Sequence, residues 1–372
     1  TAEDCVGGDV SISAGSGSSS STTGGGLGGD VLISAGTALG QANNDAGGSV
    51  RLFGGSASVG SGGDVVLKSG VSTVGSSGTV SVTTADSGLS GISGDVTIKT
   101  GVSANDNSGS FVVETGRSLA GSGGDIKLAV GSGTAGAGGN IGITAGSTSD
   151  DDVDANTGGA VDILSGASTT GDSGVVHIHT ADSGTRGNSG DVVIGTGQTT
   201  AGASGSLSLV SGDASGGAGG SIVVAVGVGN EGDGGDVLVN AGDSTAKDSA
   251  GGSIHLKGGA GSHRKGGIGG GVDIQGGVAT GLGAGDVGGS VRVSGGSATA
   301  GAGGDVEVAS GRSTDASSGA LLLHTAEAGS IGASGDVMLH SGSTTWGPTG
   351  DVRIASGDAQ KGSSGRVSIS AG

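Results

Sequence analysis

Gly-Gly-Asp-Val-Val-Leu-Lys-Ser-Gly, at residues 62–70, contains the pattern that decides the fold of this chain. A glycine stands two residues before an aliphatic residue or Phe, and a second aliphatic residue follows two places later. A small residue and then another glycine, replaced by alanine in three repeats, end the pattern. We count 23 such repeats and call their first glycine the leading glycine and their last residue the trailing glycine. A period in this range is typical of repeat architectures.

The spacing of the repeats predicts their secondary structure. Successive repeats most often begin 15 residues apart, and six spacings run from 17 to 21. Aliphatic residues at i and i+2 lie on one face of an extended strand, and frequent glycine opposes a helix. Two glycines at fixed places indicate two corners, each with positive φ or a crowded backbone. The sequence therefore predicts an all-β fold, a single parallel β-solenoid or flattened β-helix of about 23 coils of mostly 15–16 residues.

The repeat runs through the whole sequence and predicts one continuous domain over residues 1–372. Longer repeats take their extra residues between the trailing glycine and the next leading glycine, as at 40–46, 150–157 and 258–269. Thr1-Ala2-Glu3 matches the pattern at 325–327, and the sequence stops at a trailing glycine. Because an uncapped solenoid end invites pairing, we expect a segment of a longer repeat protein, or copies that stack end to end.

Composition excludes several classes of protein. Glycine makes up 94 of 372 residues, but a single proline and the absence of a Gly-x-y period exclude collagen. The alternative of a disordered chain is disfavoured because the aliphatic positions keep their phase throughout. The net charge of −19 argues against nucleic acid and anionic membranes as partners, and there is no apolar run for membrane insertion. The lone Cys5 forms no intramolecular disulfide; an inert thiol and an intermolecular bond both stay open.

Aspartate follows the leading glycine in ten repeats and would form a column in a solenoid. One interpretation is Ca²⁺ coordination by these carboxylates and loop carbonyls, which would make Ca²⁺ the one cofactor. The other is a turn residue that caps a backbone N–H, and it is favoured because Ser and Asn replace Asp freely. The nonapeptide Ca²⁺-binding repeat is excluded by its shorter period. The Ca²⁺ candidates are Asp9, Asp30, Asp64, Asp95 and Asp125.

Other polar clusters give weaker signals. His177 and His179 alternate along one segment, and His324 and His340 occupy equivalent places in adjacent repeats, but no Cys or third His joins either pair to complete a metal site. The basic cluster 263–265 is expected at the tip of an inserted loop. Polysaccharide-cleaving enzymes need clustered carboxylates or a basic residue beside aromatic platforms. The positions between the aliphatic residues are mixed and poor in aromatics, so we predict that the chain is not an enzyme and has no catalytic residue.

Repeats such as Gly-Gly-Asp-Val-Leu-Ile-Ser-Ala-Gly at 28–36 and Gly-Gly-Asn-Ile-Gly-Ile-Thr-Ala-Gly at 138–146 resemble those of filamentous-haemagglutinin-type secreted adhesins. The longer register at 130–140 is similar to Gly/Ser-rich tandem-repeat β-solenoid proteins of protist and algal cell surfaces. The resemblance covers nearly the whole chain. It implies an extracellular, fibrous or adhesive role and transfers no catalytic residue.

These observations predict a structural protein that forms a rigid, acidic extracellular filament or fibre, such as a surface fibre, a flagellar hair or a mucilage component. Its Ser/Thr-rich stretches could carry O-linked glycans, and no Asn-x-Ser/Thr sequon is present. The alternative is an adhesin, or a glycan- or ice-binding solenoid, that uses the Ser/Thr stretches or the inserted loops. A binding face keeps one chemistry along its length, and the variation at the outward positions favours the scaffold.

Overall fold

The structure is a computed structural model that describes residues 6–149, 157–283 and 285–371. No residue in these ranges lies in an α-helix or a β-strand, so the prediction of an all-β solenoid is wrong. A parallel sheet needs a ladder of backbone hydrogen bonds along each pair of neighbouring strands. The backbone hydrogen bonds of the described residues instead fall at one point in a repeat or at the tip of a loop. The repeats are therefore linked at points rather than along their length.

The chain divides into two bodies, Thr1–His179 and Thr180–Gly372. Each body is built from the same repeat, and the phase of the aliphatic residues continues through both. The prediction of one continuous repeat domain stays a prediction. Cys5 and the inserted residues 150–156 lie outside the described residues.

Each repeat begins with a segment of about eight residues that has the side-chain alternation of an extended chain. The first of the two apolar residues is the better covered one in most repeats, with an exposed fraction between 46% at Val176 and 61% at Phe111 in all repeats but the first. The residue after it is more exposed, for example 89% at Val193. Val10 has no complete repeat before it and is 89% exposed. The preceding repeat therefore provides the partial cover of the first aliphatic residue.

A backbone hydrogen bond closes many of the repeats into a loop. The N–H of the leading glycine donates to the carbonyl oxygen of the preceding trailing glycine, over 2.8 to 3.0 Å. We call this pair of glycines the neck and the residues between them the loop. Seven residues separate the glycines at the shortest necks, and the inserted residues 40–46 lie in a longer loop that is closed by the same bond. The donors are Gly29, Gly48, Gly63, Gly78, Gly159, Gly174, Gly252, Gly270, Gly289, Gly304 and Gly319.

The neck bond is found only where the residue before the trailing glycine is small, but a small residue does not ensure it, since three described repeats with Ser there, at 211, 341 and 356, lack the bond. This residue is Ala, Gly or Ser in all eleven repeats that have the Gly–Gly bond. The bond is absent from every described repeat with Thr or Val at this position. A Cβ on the leading Gly139 would come within 2.7 Å of Val130 Cγ1, so a β-branched side chain fills the neck. Thr115 uses its hydroxyl instead, donating to the carbonyl oxygen of Gly124 over 3.1 Å.

The leading glycine of the neck lies close to the preceding trailing glycine, and neither glycine has a positive φ angle. A Cβ on Gly48 would lie 3.2 Å from the backbone nitrogen of Gly36. The glycines with positive φ, such as Gly91 and Gly202, lie at the loop tips, where the chain bends once in a repeat. The expectation of two corners in each repeat is therefore corrected to one bend at the loop tip and one neck. Of the two explanations offered for the fixed glycines, crowding applies to the leading glycine, whereas a Cβ on the trailing glycine of a neck would meet nothing within 4 Å.

No described side chain is buried, and the chain has no hydrophobic core in the described ranges. The least exposed places are mostly small residues just before the trailing position, among them Ser69, Ala145, Ala241 and Ser341. The chain has an accessible surface of 36349 Å². A compact protein of 33.6 kDa exposes roughly 13,000 Å², and a fully extended chain of that mass exposes roughly 49,000 Å². A single copy therefore removes little of its surface from water.

Candidate functional site

The aspartates that follow the leading glycines are exposed and spread one to a repeat. Asp9, Asp30, Asp64, Asp95 and Asp125 accept no hydrogen bond among the described residues. The described ranges contain no group of three or more His, Cys, Asp or Glu side chains that could hold a metal ion. Asp351, in the same column, accepts a hydrogen bond from Arg353 over 2.9 Å. The Ca²⁺ site stays a prediction, and these geometries do not assemble one.

Carboxylates that bind backbone N–H groups lie in the loops and not in the column. Asp45 accepts from the N–H of Ala42, and Asp286 accepts from the N–H of Gly283, each over 3.0 Å. Serine hydroxyls do the same at other tips, where Ser72 accepts from Gly75 over 2.8 Å and Ser118 from Gly121 over 2.9 Å. A side-chain oxygen that binds an N–H three residues later stabilises a turn. The capping role expected of the column is therefore carried by loop residues.

The histidines of both pairs are exposed, and two of them bind the carbonyl oxygen of the following residue. His324 donates from Nδ1 to the carbonyl oxygen of Thr325 over 3.1 Å, and His340 makes the same bond to Ser341. A carbonyl oxygen only accepts, so Nδ1 carries the proton in both. His177 and His179 are also exposed, and none of the four belongs to a metal-binding group within the described ranges.

An open depression of about 400 Å³ lies between the extended segments of two consecutive repeats in the second body. Three of its lining residues come from one segment and three from the next, so the two segments face each other there. It combines one imidazole and one carboxylate with aliphatic side chains and lacks a nucleophile. The lining residues are Leu322, Leu323, His324, Asp336, Val337 and Leu339.

The basic cluster at 263–265 lies at a loop tip, as the sequence predicts. The chain turns at 264–266, His263 accepts from the N–H of Lys265 at its Nδ1 over 3.2 Å, and its carbonyl oxygen accepts from Gly267. The neck bond between Gly259 and Gly270 closes this loop. The cluster is thus held by its own loop and contacts no carboxylate in the described ranges.

An uncharged face that recurs in each repeat is the feature that sequence reasoning missed. It consists, in every repeat, of the leading glycine, the two aliphatic or Phe residues and the small residue before the trailing position, and we call it the apolar face. Its 92 positions in 23 repeats contain no Asp, Glu, Lys or Arg, although charged residues make up 13% of the chain. The charges of the extended segments, such as Asp64 and Lys68, occupy the alternate positions. The signal in the sequence was that charged residues are restricted to the alternate positions of each extended segment.

Comparison with protein-family models, with curated proteins and with solved structures gives no match to this chain. No helix in the described part of the chain is long and apolar enough to cross a membrane. The resemblance to secreted and cell-surface repeat proteins therefore rests on the repeats themselves.

Proposed function

We propose that this chain is a non-catalytic structural component of an acidic extracellular filament or fibre. The observation that carries the proposal is the apolar face, which keeps one chemistry through all repeats while the positions between its residues vary. A scaffold needs one repeated contact surface and tolerates change elsewhere. A catalytic site instead needs several polar groups brought together at one place.

The acidic charge and the loops support an extracellular role. A net charge of −19 keeps chains hydrated and soluble between their contacts. The loops are rich in Ser and Thr, and their hydroxyls are exposed at the tips, for example at Ser118 and Ser168. Exposed hydroxyls on loops are accessible acceptors for O-linked glycans, which we include in the proposal.

Immunogold labelling of intact cells that express the chain tests the location. We expect label on external fibres without permeabilisation, and mass spectrometry of the purified fibres should find O-linked sugars on loop peptides. Label that appears only after permeabilisation would contradict the extracellular role. Saturable binding of the purified chain on a glycan array would replace the scaffold by the adhesin alternative.

A further inference from the structure

We propose that the apolar face is an association surface for a second copy of this chain. The inference deepens the proposed structural function and rests on it, since it names the partner through which a fibre would be built. It places the contact along the extended segments and leaves the loops and their charges in water.

The exposure of the face is the first argument. Its aliphatic side chains stay about half exposed or more, with Val192 at 51% and Ile194 at 63%. The accessible surface exceeds that of a compact protein of the same mass by roughly 23,000 Å². A stable protein–protein interface buries only roughly 1,200–2,000 Å². The surface that one copy leaves exposed is therefore far larger than the area that stable association requires.

The charge pattern is the second argument. Charged groups are costly to bury unless they are paired, and the centres of interfaces are depleted of them. The apolar face lacks Asp, Glu, Lys and Arg in every repeat, so covering it desolvates no ionised side chain of these types. The alternate face carries mixed charges, such as Lys99 and Glu307, and offers no comparable uncharged surface.

The backbone gives the third argument. In the described ranges the backbone hydrogen bonds lie at necks and loop tips, so the N–H and C=O groups between Asp191 and Gly195 have no backbone partner. Extended segments with free backbone groups are templates for pairing with another chain. The leading glycine adds no side chain to this face, so a neighbouring segment can approach closely.

The spacing of the repeats selects a second copy as the occupant. Two copies present the same aliphatic pairs at the same intervals of mostly 15 residues, so contact at one repeat brings the following repeats into register. An unrelated partner would need the same interval. The charge of −19 on each copy opposes association, so added salt should strengthen it by screening the repulsion.

Matched variants of the full chain test the surface. The first carries Val192→Ser, Leu207→Ser, Ile222→Ser and Val237→Ser on the apolar face. The control carries Val193→Ser, Val210→Ser, Val223→Ser and Leu238→Ser at alternate positions of the same repeats. Sedimentation equilibrium with a reductant present, which prevents a disulfide through Cys5, measures the dissociation constant. We expect at least about tenfold weaker association for the first variant and less than about twofold change for the control.

Hydrogen exchange of the unsubstituted chain gives a readout that does not depend on a variant. At high chain concentration the amides of residues 191–195 should exchange more slowly than they do at low concentration, whereas those of the loop 198–204 should not change. A monomer at every concentration, equal weakening by both variants, or protection confined to the loops would overturn the inference.

The two proposals fail separately. If the purified chain stays monomeric, the association surface is wrong, while external label on cells would still support the structural role. If the chain associates through the apolar face but the label lies inside cells, the extracellular function is wrong and the association surface stands.

Discussion

At the residue scale, a bulky side chain before the trailing glycine prevents the neck from closing. Ala35 leaves room for the bond from Gly48 to Gly36, whereas Val226 would come within 2.9 Å of a Cβ on Gly235 and fills the neck. Val has the higher propensity for an extended segment, so local propensity does not explain why the neck forms beside Ala35 and not beside Val226. Their volume at the point where two backbone segments approach makes the difference, because a γ-methyl occupies the space that the leading glycine otherwise enters.

The neck rule predicts a gain of structure at Thr100. Thr100→Ala removes the γ-methyl that lies 3.8 Å from a Cβ built on Gly109, so the N–H of Gly109 should bind the carbonyl oxygen of Gly101. A net hydrogen bond of about 1 kcal/mol corresponds to roughly fivefold slower exchange of the Gly109 amide, measured by NMR. Thr100→Val keeps the branched shape and is the control, which should show no slowing. Equal slowing in both variants would mean that the hydroxyl, and not the shape, prevents the neck.

At the element scale, the loop varies in length from repeat to repeat, whereas the neck bond is the same wherever it forms. Eleven residues lie between Gly36 and Gly48, and seven lie between Gly55 and Gly63, yet each pair makes the same backbone bond. The cost of closing a flexible loop rises only slowly with its length. Insertions in the loops are therefore tolerated without disturbing the extended segments on either side.

A shortened loop should keep its neck. Deletion of residues 42–45 leaves seven residues between Gly36 and Gly48, the number found between Gly55 and Gly63. We expect the amide of Gly48 to keep its protection against hydrogen exchange, because the neck depends on the glycines and on Ala35. Gly48→Val is the control that should lose protection, since a Cβ there lies 3.3 Å from the Ala35 Cβ. Loss of protection in the deletion variant would show that the loop itself holds the neck.

At the scale of the whole molecule, the absence of a core in the described ranges limits what one copy can do alone. Cooperative unfolding and its heat-capacity change come from apolar surface that unfolding exposes. A single copy already exposes most of that surface, so its extended segments gain little from intramolecular burial. Order along these segments should depend on contacts between copies.

Calorimetry tests this dependence on concentration. A dilute solution of the chain should give no cooperative unfolding peak, whereas a concentrated solution at high salt should give one whose midpoint rises with chain concentration. The variant with four serines on the apolar face should lose the peak, and the control at the alternate positions should keep it. A sharp peak of unchanged midpoint in the dilute solution would mean that one copy is stably folded.

The sequence by itself determined the phase of the repeats and the position of the inserted loops, and it also contained the segregation of charge to alternate positions, which sequence reasoning missed. These follow from periodicity, because the spacing of residues such as Val65 and Leu67 fixes which side chains share a face of an extended segment. The basic cluster at 263–265 was placed at a loop tip for the same reason, since its repeat is longer than the commonest spacing of 15 residues.

Only the tertiary structure decided how the segments are joined. The prediction of a β-solenoid assumed that neighbouring segments pair along their length, but the structure joins successive repeats at the necks, as between Gly70 and Gly78. Periodicity fixes the face on which a side chain lies, and leaves open whether the backbones beside it form a ladder. Whether a ladder forms depends on whether apolar burial offsets the conformational entropy that a chain with 94 glycines loses when it becomes ordered. Half-exposed valines bury too little surface to offset this loss.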